Sequence, residues 1–351
     1  MWIAISGRIF EGFATDNILQ LALNSIYVQA PRSPQVSRLF GMSLGLYMLG
    51  QALSPSIAGI FKNFRASFAL AIVIFVLCII YLLAFVSLKE PEHVIPDEIC
   101  EEDEMPASSD NSETKLVSRA FLGLVDSLAY PLKALVTERV LWGAGLALFF
   151  FLAAISYIYP ALMVFAAIRF NFTGRENGWL LSTAATSSSI YLFSSIFITA
   201  KVKSRKREYE VPFSPQRLAF GPNYWLSMAS MALICLIMPF VAFSVQSWHL
   251  FLVVAVASMG LSAPSFLKSY AVSLVTDGTQ ALTGLALMET VGALLSPMIL
   301  GVMQSKFRED LVFTITSAIV AMAMLLLTTG AVSYASPIRA GTIISWSGMS
   351  T

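Results

Sequence analysis

Charged residues are scarce in this chain, and their scarcity excludes an ordinary soluble globule. They make up 12% of the 351 residues, whereas hydrophobic residues make up 57%, and the mean hydropathy is +0.74. A soluble domain carries about 25% charged and about 45–50% apolar residues. Because so few polar side chains are left to coat a water-exposed surface, the composition indicates a protein whose surroundings are a lipid bilayer.

Other absences exclude particular kinds of site. The net charge of +1 argues against nucleic acid as a partner, and the three cysteines do not form a disulfide framework. The two histidines, His93 and His249, lie far apart and predict no metal site. The sequence has no Gly-x-x-x-x-Gly-Lys-Ser/Thr loop for ATP and no Ser-His-Asp or Cys-His arrangement. We therefore expect that the protein has no cofactor and no catalytic residues and is not an enzyme. Any transport would take its energy from a gradient across the membrane.

Long apolar runs are what the chain does contain. A helix needs roughly 20 apolar residues to span a bilayer, and about nine segments reach that length. They are residues 1–28, 39–61, 66–87, 142–168, 179–200, 223–244, 248–275, 280–304 and 311–335. The sequence predicts an all-α, polytopic membrane protein.

The apolar segments fall into a group of three and a group of six, separated by residues 88–141. This separator begins acidic and ends in "RAFLGLVDSLAYPLKALVTER", whose apolar residues recur near helical spacing. We predict a cytosolic loop that contains an amphipathic helix on the membrane surface. The predicted domains are a partial N-terminal transmembrane half at 1–87, this loop at 88–141, a six-helix C-terminal half at 142–335 and a tail at 336–351.

Basic residues predict the orientation. Placing the long loop in the cytosol puts most of the lysines and arginines, Lys268 included, on the cytosolic side, as the positive-inside rule requires. The C-terminus then lies in the cytosol. The prediction is a multi-pass protein of the plasma membrane or of a vacuolar-type membrane.

One ten-residue frame occurs twice. "GQALSPSIAG" at 50–59 and "GALLSPMILG" at 292–301 share Gly-x-x-Leu-Ser-Pro-x-Ile-x-Gly. They lie six predicted helices apart, which implies two six-helix halves related by duplication, a known transporter plan. In this register the first half holds only its last three helices, and we expect three preceding helices to be missing.

Two short motifs carry a family resemblance. "GRIFEG" resembles the Arg-x-x-Gln-Gly motif of the fourth helix of major facilitator superfamily transporters, with Glu11 where glutamine is usual. "GQALSPSIAG" resembles the fifth-helix Gly-x-x-x-Gly-Pro-x-x-Gly-Gly motif that is linked to antiporters, with Ser54 and Ala58 replacing glycines. The chain as a whole resembles helices four to twelve of the twelve-helix, drug-efflux-like type common in fungi.

The resemblance implies a fold and an activity. The fold is a partial major-facilitator fold, with three helices of the N-terminal half and a complete six-helix C-terminal half. The activity is secondary, antiporter-like efflux of a small organic molecule, coupled to protons, with alternating access between two helix bundles. The arginine that corresponds to Arg8 helps to couple proton movement to the substrate cycle in that family.

Intramembrane charges and tyrosines are the candidates for the proton and substrate path. In the first segment these are Arg8, Glu11 and Asp16. The alternative is that they are charges near the outer membrane interface whose side chains extend to water. Glu289 shares a helical face with small residues and is a candidate for proton exchange or substrate contact; the alternative is a buried structural partner. Tyr157 and Tyr159 interrupt the fourth segment and are candidates to line a midplane cavity.

The repeated frame has two interpretations. Its prolines remove a backbone donor and kink a helix, and its small residues let a second helix approach closely. One interpretation is a paired hinge that seals the two halves during transport, and the other is plain helix packing. The residues concerned are Gly50, Ser54, Pro55, Gly59, Gly292, Ser296, Pro297 and Gly301.

Two hypotheses of function follow from these patterns. The first is a secondary transporter that exchanges protons for a small organic molecule. The alternative is a truncated, non-transporting membrane protein, or an incomplete gene model of such a transporter.

Overall fold

A computed structural model describes residues 33–60, 64–85, 139–206, 219–275, 278–306 and 311–347. All regular secondary structure in these ranges is helical. The helices are α1 (Ser33–Ile60), α2 (Phe64–Phe85), α3 (Arg139–Ile155), α4 (Ile158–Phe170), α5 (Gly174–Lys206), α6 (Pro222–Ile237), α7 (Pro239–Ala242), α8 (Ser247–Ser258), α9 (Ala263–Leu274), α10 (Gly278–Lys306) and α11 (Leu311–Ser347). A 3₁₀ turn, Met259–Ser262, joins α8 to α9.

Five helical stretches in the described residues are long and apolar enough to cross a membrane. They are Leu141–Phe170, Pro222–Ala242, Ser247–Leu274, Gln280–Lys306 and Leu311–Ala335. A shorter apolar stretch, Phe68–Tyr81, lies in α2. The prediction of an all-α membrane fold is confirmed.

The remaining predicted segments have mixed outcomes. Segments 39–61, 66–87 and 179–200 coincide with α1, α2 and α5, although none of these three helices is among the five stretches. Segment 1–28 and the amphipathic helix expected within 88–141 lie outside the described residues. The domain boundaries stay a prediction.

The chain forms two compact units, one of residues 1–56 with 129–351 and one of residues 57–128. In the smaller unit, most described side chains of α2 are exposed. Since α2 is strongly apolar on every face, this exposure is typical of a helix that lies in lipid.

In the larger unit, α3 packs between α10 and α11. Glycines bring these backbones together: a Cβ added at Gly143 would lie 2.7 Å from the Cα atom of Gly330 in α11. On the other side, a Cβ added at Gly292 in α10 would collide with the Phe149 carbonyl oxygen. Close approach through glycine is how membrane helices gain packing contacts that lipid cannot provide.

Two of the apolar stretches are interrupted near their middle. Between α3 and α4 the chain turns at Ser156 and Tyr157, and Pro160 stands in the first turn of α4. Pro160 has no N–H for the Ser156 carbonyl, and its ring crowds that carbonyl, so a continuous helix is disfavoured here. Between α8 and α9 the 3₁₀ turn precedes Pro264, which lies in the first turn of α9.

Candidate functional site

An ion pair lies between two apolar helices. The ammonium of Lys268 in α9 contacts the carboxylate of Glu289 in α10, and the two side chains are only 6% and 10% exposed. Intramembrane ionisable side chains are costly, face the protein interior and pair with one another. This pair is therefore the strongest candidate for a functional site in the described residues.

The local sequence explains why the pair is buried. Lys268 is flanked by the buried residues Leu267 and Ser269. Glu289 stands three residues before Gly292, whose contact with Phe149 draws that face of α10 onto α3. The carboxylate is thus on the side of α10 that faces the protein, as its small-residue face predicts.

Lys268 was counted with the cytosolic basic residues, and the side of the membrane on which it lies stays a prediction. The structure buries Lys268 at 5% exposure and pairs it with a carboxylate. A signal was present in the sequence, since Lys268 lies inside the predicted span 248–275 and a lysine within a span is a candidate for function. The pairing itself was not visible, because nothing in the spacing brings residue 268 to residue 289.

The second copy of the repeated frame packs against α3 and α4. The Tyr157 backbone N–H donates to Ser296 Oγ over 3.0 Å. A Cβ added at Gly301 would lie 3.5 Å from the Tyr157 ring. The structure therefore brings Tyr157, a predicted path residue, together with two predicted packing residues. Pro297 lies inside α10, and its side chain is exposed.

The first copy of the frame has different surroundings. All of it lies in α1, including Gly59. Within the described part of the chain, no heavy atom comes within 4 Å of a Cβ built on Gly50, and Ser54 is exposed. Pro55 does lie near another helix: its carbonyl oxygen would be 3.6 Å from a Cβ at Gly178 in α5. The two copies of the frame are thus in different environments.

Tyr159 lies beside a small apolar cleft. It shares the lining of this cleft with Ser258 in α8. The cleft between α4, α7, α8 and the 3₁₀ turn is lined by Ile158, Tyr159, Leu162, Met238, Val241, Val254, Ser258 and Leu261. Tyr159 therefore borders this cleft, and its role in lining a midplane cavity stays a prediction.

A chain of hydroxyl groups crosses three further elements. Tyr191 Oη in α5 lies 3.3 Å from Ser230 Oγ in α6, which lies 3.3 Å from Ser262 Oγ in the 3₁₀ turn. Ser262 Oγ donates to the Met259 carbonyl, so the chain ends on backbone. Because each hydroxyl has a partner, this chain is best explained as a bond between helices.

Three of the predicted site residues cannot be placed in the structure. Arg8, Glu11 and Asp16 lie outside the described residues. Among the residues that the structure describes, no group of three His, Cys, Asp or Glu side chains could hold a metal ion.

The sequence profile of the Major Facilitator Superfamily matches residues 1–297. The chain belongs to this superfamily. No curated protein matches the chain. Major facilitator proteins are multi-pass membrane transporters of small molecules and are generally not enzymes, which agrees with the apolar spans of this chain. In this major facilitator protein, the Lys268–Glu289 pair joins α9 to α10, and the second frame joins α10 to α3 and α4.

Proposed function

We propose that this major facilitator protein is a secondary transporter that moves a small organic molecule in exchange for protons. Alternating access would take place between two helix bundles, in the direction of efflux, across the plasma membrane or a vacuolar-type membrane with the C-terminus in the cytosol. The chain would need no cofactor and catalyse no reaction. Membership of the family supports a transporter; the proton coupling rests on this chain's own residues.

The observation that carries the proposal is the buried pair of Lys268 and Glu289. Adding a proton to Glu289 changes the net charge between α9 and α10 by one unit. Unbalanced charge in an apolar interior is costly, so protonation favours a different arrangement of these helices. A proton taken up on one side and released on the other would in this way drive a conformational cycle.

Other residues take supporting roles in the proposal. Arg8, Glu11 and Asp16 would handle charge in the first segment. Tyr157 and Tyr159 would border the substrate path, which is consistent with the cleft beside Tyr159.

Proton flux into proteoliposomes tests the proposal. The purified full chain is reconstituted with a pH-sensitive dye inside, a pH gradient is imposed, and organic cations such as ethidium and a panel of neutral and anionic compounds are added in turn. We expect at least one compound to release proton flux through the wild type. Glu289→Gln, which keeps the size of the side chain and removes its charge, should abolish that flux.

The matched control is Glu176→Gln, because Glu176 is an exposed carboxylate in the first turn of α5. Its flux should equal that of the wild type at equal incorporation. Unchanged flux in Glu289→Gln would remove Glu289 from the mechanism, and the absence of flux with every compound would count against proton coupling as a whole.

A further inference from the structure

The chain of hydroxyl groups that joins α5, α6 and the 3₁₀ turn has one direction. A serine or tyrosine hydroxyl has a single proton to donate. Ser262 uses its proton on the Met259 carbonyl, so Ser230 must be the donor in its bond to Ser262. Ser230 then has no second proton, so Tyr191 must be the donor in its bond to Ser230. Every proton in the chain therefore points away from Tyr191.

The direction of the chain determines what the Tyr191 hydroxyl can bind. Its proton is used inside the protein, whereas its oxygen can still accept a hydrogen bond. Hydrogen bonds in a chain polarise one another, so an oxygen that already donates its proton is a better acceptor. An N–H or O–H group can therefore bond to Tyr191, and a group that offers only acceptors cannot.

Tyr191 lies midway along α5, at the level where this helix contacts α1. The Ser189 hydroxyl, two residues earlier, donates to the Gly45 carbonyl of α1 over 3.2 Å. These helices come from the two predicted halves, and transporter substrates bind near the bilayer midplane where two such halves meet. Tyr191 is only partly buried, whereas Ser230 and Ser262 are buried, so Tyr191 is the accessible end of the chain.

Ser188 is a second, independent sign that a polar group belongs beside Tyr191. It lies three residues earlier on the same face of α5, and long helical side chains point back over that turn. Ser188 is 1% exposed, and its hydroxyl has no hydrogen-bond partner among the described residues. Buried polar side chains are nearly always hydrogen-bonded. One hydrogen-bonding group is therefore missing next to Tyr191, as expected of a site that a polar molecule completes.

We propose that Tyr191 is a specificity-determining residue whose hydroxyl oxygen accepts a hydrogen bond from an N–H or O–H group of the transported molecule. The inference rests on the proposed function, because it names the chemical class of the small organic molecule. A molecule that has only alkyl groups or acceptors at the same position makes no bond to Tyr191 and is bound less tightly. Recognition needs no proton gradient, so binding alone tests it.

Matched pairs of fluorescent compounds test the proposal. The purified full chain in lipid nanodiscs is titrated with the acriflavinium cation and its tetra-N-methylated analogue, and with umbelliferone and its methyl ether. The two members of each pair differ in N–H or O–H groups, and ligand fluorescence reports the affinity. In at least one pair, we expect the wild type to bind the donor member about tenfold more tightly, as one hydrogen bond provides. Tyr191→Phe should remove this preference.

Ser230→Ala separates contact with the ligand from a structural role of Tyr191. It breaks the same bond between α5 and α6 but keeps the Tyr191 oxygen. The preference for the donor member should therefore persist in Ser230→Ala, whereas an effect of loosened helices would be the same in both variants. Tyr81→Phe is the matched control, because Tyr81 is an exposed tyrosine of α2, and its affinities should equal those of the wild type.

The proposal is overturned if the wild type shows no preference in either pair, which includes the case in which no compound binds. It is also overturned if Tyr191→Phe keeps the preference, or if Ser230→Ala loses it as completely as Tyr191→Phe. If the preference holds and no proton flux is found, recognition by Tyr191 stands and the proposed proton coupling fails. Proton flux without any preference would reject only the role of Tyr191.

Discussion

Lys268 and Glu289 form an ion pair between α9 and α10 in which neither side chain is more than a tenth exposed. In an apolar interior, removing one member of such a pair leaves an uncompensated charge, whereas removing both does not. The contribution of the pair to the free energy of unfolding can therefore be measured separately from its proposed role in proton coupling.

Single and double substitutions of this pair should be strongly non-additive. Lys268→Met and Glu289→Met should each lower the free energy of unfolding by about 3–5 kcal/mol, because each leaves one charge buried. The double variant should be more stable than either single variant. Thermal unfolding followed by tryptophan fluorescence in one detergent checks this, and additive losses would show that the two residues do not interact.

The glycine contact between α3 and α11 should not tolerate a methyl group. A Cβ at Gly143 would meet the Cα atom of Gly330 at 2.7 Å, so the two backbones must separate. We expect Gly143→Ala to cost about 1–3 kcal/mol, in the range of overpacking. Gly174→Ala is the control, since nothing lies within 4 Å of a Cβ at Gly174. Equal unfolding temperatures for both variants would contradict the close approach.

The two copies of the repeated frame should respond differently to the same substitution. Gly292→Ala would force a Cβ against the Phe149 carbonyl, whereas a Cβ on Gly50 meets no atom of the described residues within 4 Å. Gly292→Ala should therefore lower the unfolding temperature, and Gly50→Ala should leave it unchanged or raise it slightly, because alanine favours helix. A comparable loss in both variants would mean that the frames are equivalent in packing.

Glu176 should titrate below the usual range of a glutamate. Thr173 donates its hydroxyl and its backbone N–H to the carboxylate just before α5 begins, and these hydrogen bonds lower the pKa of Glu176. Its contribution to stability is therefore present above the unfolded pKa and is lost as pH falls through the lower, folded pKa. Titration of a ¹³C-glutamate-labelled chain, with Glu176→Gln to assign the signal, checks the direction.

The Thr173→Val variant is the matched test of the cause. It removes the hydroxyl donor, so the pKa of Glu176 should rise toward its ordinary value while the backbone donor remains. An unchanged titration would show that the side-chain hydrogen bond does not lower the pKa.

Much of the fold was accessible from local properties of the sequence. Apolar length predicted the helices, since a span needs roughly 20 apolar residues wherever its neighbours lie. Pro160 and the adjacent tyrosines indicated an interruption in the fourth segment, and the structure places a turn there. Glu289 was identified as an intramembrane charge on a small-residue face, and its burial agrees with that reasoning.

The partners of these residues were not accessible in the same way. Lys268 was counted only as a basic residue of the cytosolic side, because such a count does not show that its side chain meets a carboxylate of another helix. The two frames share one pattern, yet one meets α3 and α4 while Gly50 and Ser54 of the other have no comparable contact among the described residues. A shared local pattern cannot reveal a difference that arises from neighbouring helices.

By itself, the sequence determined that this chain is a helical membrane protein and that its fourth segment is interrupted, because hydropathy and the missing N–H of proline act within one segment. Only the tertiary structure decided that Lys268 meets Glu289 and that Ser296 completes the bonding of Tyr157, 139 residues away along the chain. These pairings depend on how closely helix backbones approach at glycines, and that approach is a property of the packed bundle.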